Sequence, residues 1–245
     1  MSIFFVKFKI IYITLQTQRL KTMENKKALV EYSGVEIERS GQTIISDVNF
    51  QLLESELITI DGSIGSGKTS LFKTLYADLP IKKGSARVLD FELNGIPERK
   101  IPKLRRRMGI IFQDYQLFDT KTVSGNLEFV IDSLGFKTPC PREEYINNVL
   151  GKVGIIGKAG SFTHMLSGGE RQSVAIARAI VCKPEIIIAD EPTGNLDEQS
   201  ARHIAKLLYS LSQEGTSVIV ATHDGDVFKE FPRRELHVEN GKLIS

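Results

Sequence analysis

The stretch that most constrains this chain runs from Gly62 to Thr69: Gly62, Ser63, Ile64, Gly65, Ser66, Gly67, Lys68, Thr69. An apolar run, Leu57 to Ile60, leads into it, and a helix-patterned segment, Ser70 to Tyr76, leads out. Strand, glycine-rich turn and helix, in that order, are the setting of a loop that cradles phosphate groups. Gly62, Gly65 and Gly67 admit backbone angles that a side chain forbids, so successive N–H groups can turn inward around an anion. The helix that follows adds unpaired N–H groups and the positive end of its dipole. Lys68 supplies a point charge for the β- and γ-phosphates, and the Thr69 hydroxyl is placed to hold Mg²⁺. The plain alternative is a glycine turn that merely joins strand to helix; the complete spacing and correct flanks favour a nucleoside triphosphate. What the nucleotide is for must come from the rest of the chain.

The 245 residues suffice for one large domain with a full core, and 41% hydrophobic with 25% charged residues is ordinary for a globular protein. A net charge of +2 gives no field that would gather nucleic acid or acidic substrates. Cys140 and Cys182 have neither metal-ligand spacing nor a disulfide framework, as suits a reducing cytosol. Residues 1–27 read as an N-terminal extension. Within it Ile3 to Leu15 is apolar, but Lys7 and Lys9 interrupt it and it is too short to span a bilayer. Charges inside the apolar run and no small-residue cleavage site argue against a signal peptide. Two readings stay open: an interfacial anchor, and translation starting at Met23 so that residues 1–22 are an artefact. No other stretch is expected to cross a membrane.

Further along, Leu29 to Tyr32, Val35 to Ile37 and Val48 to Leu53 alternate around a Ser40-Gly41 turn and predict antiparallel strands. Lys83-Gly84 marks a turn, Ala86 to Leu89 a strand, Lys100 to Arg107 a basic helix, and Gly109 to Phe112 a buried strand ending at Gln113. From about residue 119 to 168 the pattern turns helical, at Gly125 to Leu134 and Glu143 to Val153, with Pro139 and Pro141 between. This predicts a helical lobe inserted into an α/β core; ordinary crossover helices are the alternative. The α/β rhythm then returns: helix over Glu170 to Val181, strand over Glu185 to Ala189, amphipathic helix over Ala201 to Gln213, strand over Ser217 to Ala221. Leu236 to Ile244 around Asn240-Gly241 predicts a type I′ hairpin.

Two further features carry chemistry. Ile186 to Ala189 runs into Asp190 and Glu191, and the end of a parallel strand is where an open α/β sheet binds its ligand. Asp190 can hold Mg²⁺ through water and Glu191 can act as general base. An acidic pair is also a common strand cap, but it follows the glycine-rich loop by roughly 120 residues. Leu166-Ser167-Gly168-Gly169-Glu170 opens a helix with a hydroxyl beside exposed N–H groups, either a second anion-binding helix start or a simple cap.

Taken in order, Gly62 to Thr69, Gln113, Leu166 to Glu170, Asp190-Glu191, Gly194 to Asp197 and His223 resemble the ATP-binding cassette ATPases over about residues 28–245. The serine-glycine-glycine signature separates this family from P-loop kinases and GTPases. The resemblance implies a P-loop NTPase core with a RecA-like, mostly parallel sheet, an N-terminal antiparallel β-subdomain and the inserted helical lobe. It implies ATP and Mg²⁺, with Thr69, Gln113 and Asp190 toward the metal. Gln113 would also sense the γ-phosphate. Ser167, Gly168 and Gly169 would grip the γ-phosphate held by the opposite subunit of a homodimer, and Asn195 to Asp197 would communicate across it. Glu191 would be the base and His223 the switch histidine in contact with the γ-phosphate.

The chain departs from the family at two places. Where an adenine-stacking aromatic is usual stand Glu38 and Arg39, with Tyr32 too early, which leaves two readings: Arg39 stacks on the base as a cation, or contact with the base is weak. Ser173 stands where many relatives carry Arg. Within the family, Glu191-Pro192-Thr193-Gly194-Asn195-Leu196-Asp197 is similar to a subgroup of cell-division, lipoprotein-release and macrolide-efflux ATPases. Phe112 to Leu117, Thr122-Val123 and Asn126-Leu127 look most like the cell-division branch, Asp114 above all. That resemblance implies a polytopic membrane partner, a peripheral place on the cytoplasmic face of the inner (plasma) membrane, and no nucleic acid. The partner would dock near Gln113 to Leu127, with Tyr115, Leu117 and Phe118 either touching it or packing inside the lobe. Lipoprotein release or macrolide efflux is the alternative. A soluble ATPase acting on DNA or ribosomes is a further one, although the coiled coils, zinc cysteines or second cassette of such relatives are missing.

Overall fold

A long hairpin begins the part of the chain that the computed structural model describes, residues 26–245. The expectations for residues 1–22 and Met23 lie outside it. Ala28–Arg39 (β1) and Gln42–Leu53 (β2) pair antiparallel. The apolar runs Leu29 to Tyr32 and Val35 to Ile37 prove to be one strand whose register slips between Tyr32 and Val35. Side chains alternate faces along a strand, so without that extra residue Val35 and Ile37 would point to solvent; with it, Val30, Tyr32, Val35 and Ile37 are all buried. Ser85–Val88 (β4) and Phe91–Glu92 (β5) complete this sheet in the order β2-β1-β4-β5.

The second sheet holds the site. Its strands are Leu57–Gly62 (β3), Met108–Ile111 (β6), Ile186–Asp190 (β7), Ser217–Thr222 (β8), Arg234–Glu239 (β9) and Lys242–Ile244 (β10), ordered β10-β9-β3-β8-β7-β6. From β9 to β6 every pairing is parallel. The continuous apolar runs of β7 and β8 follow from burial on both faces. Asn240 and Gly241 both have positive φ (49° and 70°), which is the type I′ geometry at the closing hairpin. Strand β9 starts two residues before the expected Leu236 and runs parallel to β3, a long-range pairing that the hairpin pattern does not announce.

One helix, Lys68–Leu75 (α1), lies between the two sheets; its Leu71, Phe72 and Leu75 share a core with Ile37, Ile45, Ile60 and Ile188. The other face of the second sheet is covered by Gly168–Ile180 and Glu198–Gln213, which are α5 and α6 below. The basic segment before β6 divides into a 3₁₀ turn, Glu98–Lys100, and a short helix, Ile101–Arg105 (α2). Between β6 and α5 lie Val123–Leu134 (α3) and Arg142–Lys152 (α4), whose Val123, Leu127, Ile131, Tyr145 and Leu150 join the core of Ile187 and Val218. The turn before α3 is fixed by polar groups. Thr122 caps the helix through Gly125 N–H, and fully buried Asn126 bonds Phe118 N–H and C=O and Thr122 C=O. Among the described residues no helix is long and apolar enough to cross a membrane.

Candidate functional site

Because β3, β8 and β7 are parallel neighbours, their carboxyl ends lie side by side: Asp61 is level with Thr222, and Asp190 with Ala221. The loops leaving them therefore meet at one place. The loop after β3 ends at Gly67, whose φ is 106°; a Cβ there would lie 2.7 Å from Ile44 of β2, so only glycine lets the loop close against the hairpin. Lys68, 5% exposed, folds back to donate to Gly62 O at 2.6 Å and Ser63 O at 3.2 Å. Ser63, Ile64 and Gly65 face solvent, and Ile64 is 86% exposed.

Glu191, just past β7, has a left-handed backbone (φ 49°), a costly conformation for a residue with a side chain, secured by Glu191 N–H donating to Ala221 O at 2.9 Å. That turn aims the carboxylate back across the strand ends. One oxygen lies 3.6 Å from Lys68 Nζ and the other 2.7 Å from His223 Nδ1. An ionised carboxylate only accepts, so the proton of this bond sits on Nδ1. Asp190 is half-buried, and one of its oxygens, Oδ1, is buried without a hydrogen-bond partner. Burial pushes its carboxyl above the ordinary value and the neighbouring Glu191 adds to this, while the Thr69 hydroxyl and Lys68 partly offset it. Thr69, Gln113, Asp190 and Asn195 line one cavity of about 650 Å³, and Asn195 Nδ2 donates to Gln113 O at 3.4 Å.

Ser167, Gly168 and Gly169 form the first turn of α5. The Ser167 hydroxyl accepts from Glu170 N–H while the Glu170 side chain accepts from Ser167 N–H, a reciprocal cap. Ser167 and Gly169 line a different cleft, of about 310 Å³, together with Ser173, Ser200 and His203. Within one chain, then, the structure gathers Lys68, Glu191 and His223, and alongside them Thr69, Gln113 and Asp190, but leaves the second helix start apart.

Arg39 is exposed at the end of β1 opposite Gln42, and Tyr32 is buried with its hydroxyl 2.9 Å from Thr74 Oγ1, so Tyr32 is not free to meet a base. Leu117 is half-buried against the helical core, whereas Phe118 is 38% exposed and packs edge-on to Phe129. Tyr115 is half-buried, and its hydroxyl reaches Gly168 at the start of α5. Sequence reasoning also passed over Asp61, which accepts from Gly62 N–H at 2.6 Å, and Arg178, which binds the carbonyls of Tyr115 and Gln116. The acid before the glycine loop was visible; the reach of Arg178 was not.

Residues 45–194 match the family model described as "ABC transporter". The chain belongs to the ABC transporter family. The match takes in the glycine loop, Gln113, the start of α5 and the Asp190-Glu191 pair. Among curated relatives, the cell division ATP-binding protein FtsE of Streptococcus pneumoniae is 38% identical over 84% of this chain and 89% of its own. FtsE of Escherichia coli is 35% identical over 83% and 91%. Among solved structures, the dimeric MJ0796, a bacterial ABC transporter cassette, superposes with a TM-score of 0.77 at 28% identity, covering 87% of this chain and 96% of that one. This ABC ATPase therefore binds and hydrolyses ATP.

Proposed function

We propose that this ABC ATPase is an FtsE-type subunit that works in cell division, coupling ATP hydrolysis to a polytopic membrane protein like FtsX and, through it, to septal cell-wall remodelling. The observation that carries the chemistry is the Glu191 carboxylate, held between Lys68 and His223 at the end of β7. The backbone from Gly62 to Gly67 and the Lys68 charge bind the phosphates. Glu191 takes the proton of the attacking water, and His223, tethered through Nδ1, leaves its Nε2 edge for the γ-phosphate.

Mg²⁺ fits the residues present. Asp190 offers a buried oxygen with no other partner, beside the Thr69 hydroxyl. Among the described residues no group of three or more His, Cys, Asp or Glu could hold an ion by itself, in keeping with a cation bound largely by phosphates and water. Thr69, Gln113 and Asp190 would hold it, and when bound it would neutralise charge on the β- and γ-phosphates.

The separation of Ser167 to Gly169 from the Lys68 cavity supports a two-fold homodimer in which each ATP is closed over by the partner copy. Two helix starts then share one triphosphate as a clamp that hydrolysis releases. With the identity to FtsE proteins, this supports a peripheral place on the cytoplasmic face of the membrane, held there by the partner.

The test is affinity capture from solubilised membranes with the Glu191→Gln form, which keeps the closed dimer. Recovery of an FtsX-like protein is the expected result. A lipoprotein-release or efflux permease would keep the enzyme and overturn the pathway, and ribosomes or DNA without any membrane protein would overturn the coupling.

A further inference from the structure

The loop after β6 carries Gln113 and then makes a turn in which two consecutive residues with side chains, Tyr115 and Gln116, have positive φ (60° and 48°). Each such residue is strained, so the surroundings must hold the turn. What holds it is α5. The Arg178 guanidinium, from the last turn of that helix, donates to Tyr115 O at 2.9 Å and also to Gln116 O. At the other end of the same helix, a Cβ placed on Gly168 would lie 3.4 Å from the Tyr115 hydroxyl. One loop residue thus touches both ends of α5, its carbonyl at the foot and its hydroxyl at the first turn. A helix rises about 1.5 Å per residue, so Arg178 lies about 15 Å along the axis from Gly168, a length that two long side chains end to end can bridge.

The charge balance fits a clasp. Burial holds the Arg178 guanidinium below its ordinary pKa, and Asp114 in the same loop acts against that. Arg178 is half-buried, so its guanidinium loses part of its water, and the two carbonyls of the strained turn are the acceptors that replace it. The loop needs Arg178 to keep its left-handed pair, and Arg178 needs the loop. Arg178→Lys would keep the charge but lose the fork that reaches both carbonyls.

We propose that Tyr115 and Arg178 are positioning residues that strap the Gln113 loop to α5, so that contact with nucleotide at Gln113 fixes where Gly168 and Gly169 are presented. Neither residue touches the phosphate site of its own chain. The strap acts on the closure of the dimer, and the inference rests on the proposal that Ser167 to Gly169 bind the partner's ATP.

The experiment compares Tyr115→Ala, Tyr115→Phe, Arg178→Met and Gly169→Asp in a Glu191→Gln background. It measures ATP-driven dimerisation by size exclusion with light scattering, and the affinity of the monomer for a fluorescent ATP analogue. Tyr115→Ala and Arg178→Met are expected to weaken dimerisation by about tenfold or more, the scale set by losing bonds to a charged donor or a packed contact, while monomer affinity stays within about twofold because Lys68 and its loop are untouched. In the Glu191 protein the same changes should lower kcat and leave KM alone. Tyr115→Phe should fall between parent and Tyr115→Ala. A merely structural role would lower nucleotide affinity and melting temperature together and leave no such split, which would overturn the strap. Dimerisation of Tyr115→Ala equal to the parent would overturn it as well. Gly169→Asp separates the two layers: if it still dimerises with ATP, the underlying assignment of the signature fails; if it alone fails to dimerise, only the strap does. Should Arg178→Met not fold, Tyr115→Ala decides by itself.

Discussion

Glu191 Oε2 lies 2.7 Å from His223 Nδ1, and that short bond joins the end of β7 to the end of β8 beside the glycine loop. It does two things at once. It orients a carboxylate whose backbone is already turned by a left-handed φ, and it fixes which ring edge of His223 remains for a further contact, the γ-phosphate in the proposed mechanism. Glu191→Gln keeps the shape and removes the proposed base. Phosphate release should fall by about a hundredfold or more, since general-base catalysis contributes about 10²–10⁴. ATP-bound dimer should accumulate in light scattering. Turnover within severalfold of the parent would exclude Glu191 as the base.

Lys68 is buried among loop carbonyls and the Glu191 carboxylate, so its charge is already solvated within the proposed triphosphate site. Lys68→Ala is expected to abolish the rise in melting temperature that ATP gives the parent, because a ligand stabilises only the state that binds it. The readout is thermal denaturation with and without ATP. An unchanged ATP-induced shift would remove Lys68 from the binding loop.

Asp190 gives a pH-dependent prediction. Burial raises its carboxyl above the unfolded value of 3.8. A raised acid favours the folded state below the unfolded value, and that advantage is lost as pH rises through the folded value, so ionised Asp190 burdens the empty protein at neutral pH. Asp190→Asn should therefore melt higher than the parent at pH 7, and the gap should close toward pH of about 4, where the parent carboxyl is protonated. The same variant should lose ATP hydrolysis. A melting gap that does not vary with pH would contradict the assigned cause.

Much of this site could be read from residues alone because it is local. Glycine spacing before Lys68, an apolar strand ending in Asp190-Glu191 and the Asn240-Gly241 turn each announce their geometry within a few residues. What could not be read depends on distant packing. The pairing of β9 with β3 joins residues 176 positions apart, Ile58 with Arg234 for one. Arg178 reaches Tyr115 across 63 residues and only because α5 lies against β6. Asn126 reads as a helix-interior polar residue, yet it is fully buried and organises the turn from Phe118 to Thr122. The meeting of the Tyr115 hydroxyl with Gly168, more than fifty residues on, is likewise set by packing and not by any local pattern.

Ile64 sits in the glycine loop with 86% of its surface exposed, an unusual place for a large aliphatic group. A dimer closing over the loop would bury it, and burying such a side chain is worth about 1.5–3 kcal/mol. Ile64→Ser should leave the melting temperature of the monomer unchanged and weaken the ATP-bound dimer of the Glu191→Gln form by about tenfold, since about 1.4 kcal/mol is a factor of ten. Sedimentation at several protein concentrations measures it, and an unchanged dimer would place Ile64 outside the interface.

Phe118 and Phe129 meet edge to face with centroids 4.5 Å apart, yet both stay partly exposed, 38% and 42%. They border a groove of about 340 Å³ between the sheet edge and α3, lined also by Arg106, Ile110 and Phe112. Neither ring touches Lys68, Glu191 or His223, and aromatic pairs with one open face are favoured anchors at interfaces. If the membrane partner inserts a cytosolic segment here, the double change Phe118→Ala with Phe129→Ala should remove the partner from the captured complex. The detached ATPase should keep its nucleotide affinity and its dimerisation with ATP. Loss of the partner without loss of dimerisation assigns the groove to docking; retention of the partner moves the docking surface elsewhere. Loss of both would mean that the pair supports α3 and the loop it caps, because Asn126, three residues before Phe129, is what holds Phe118 in place.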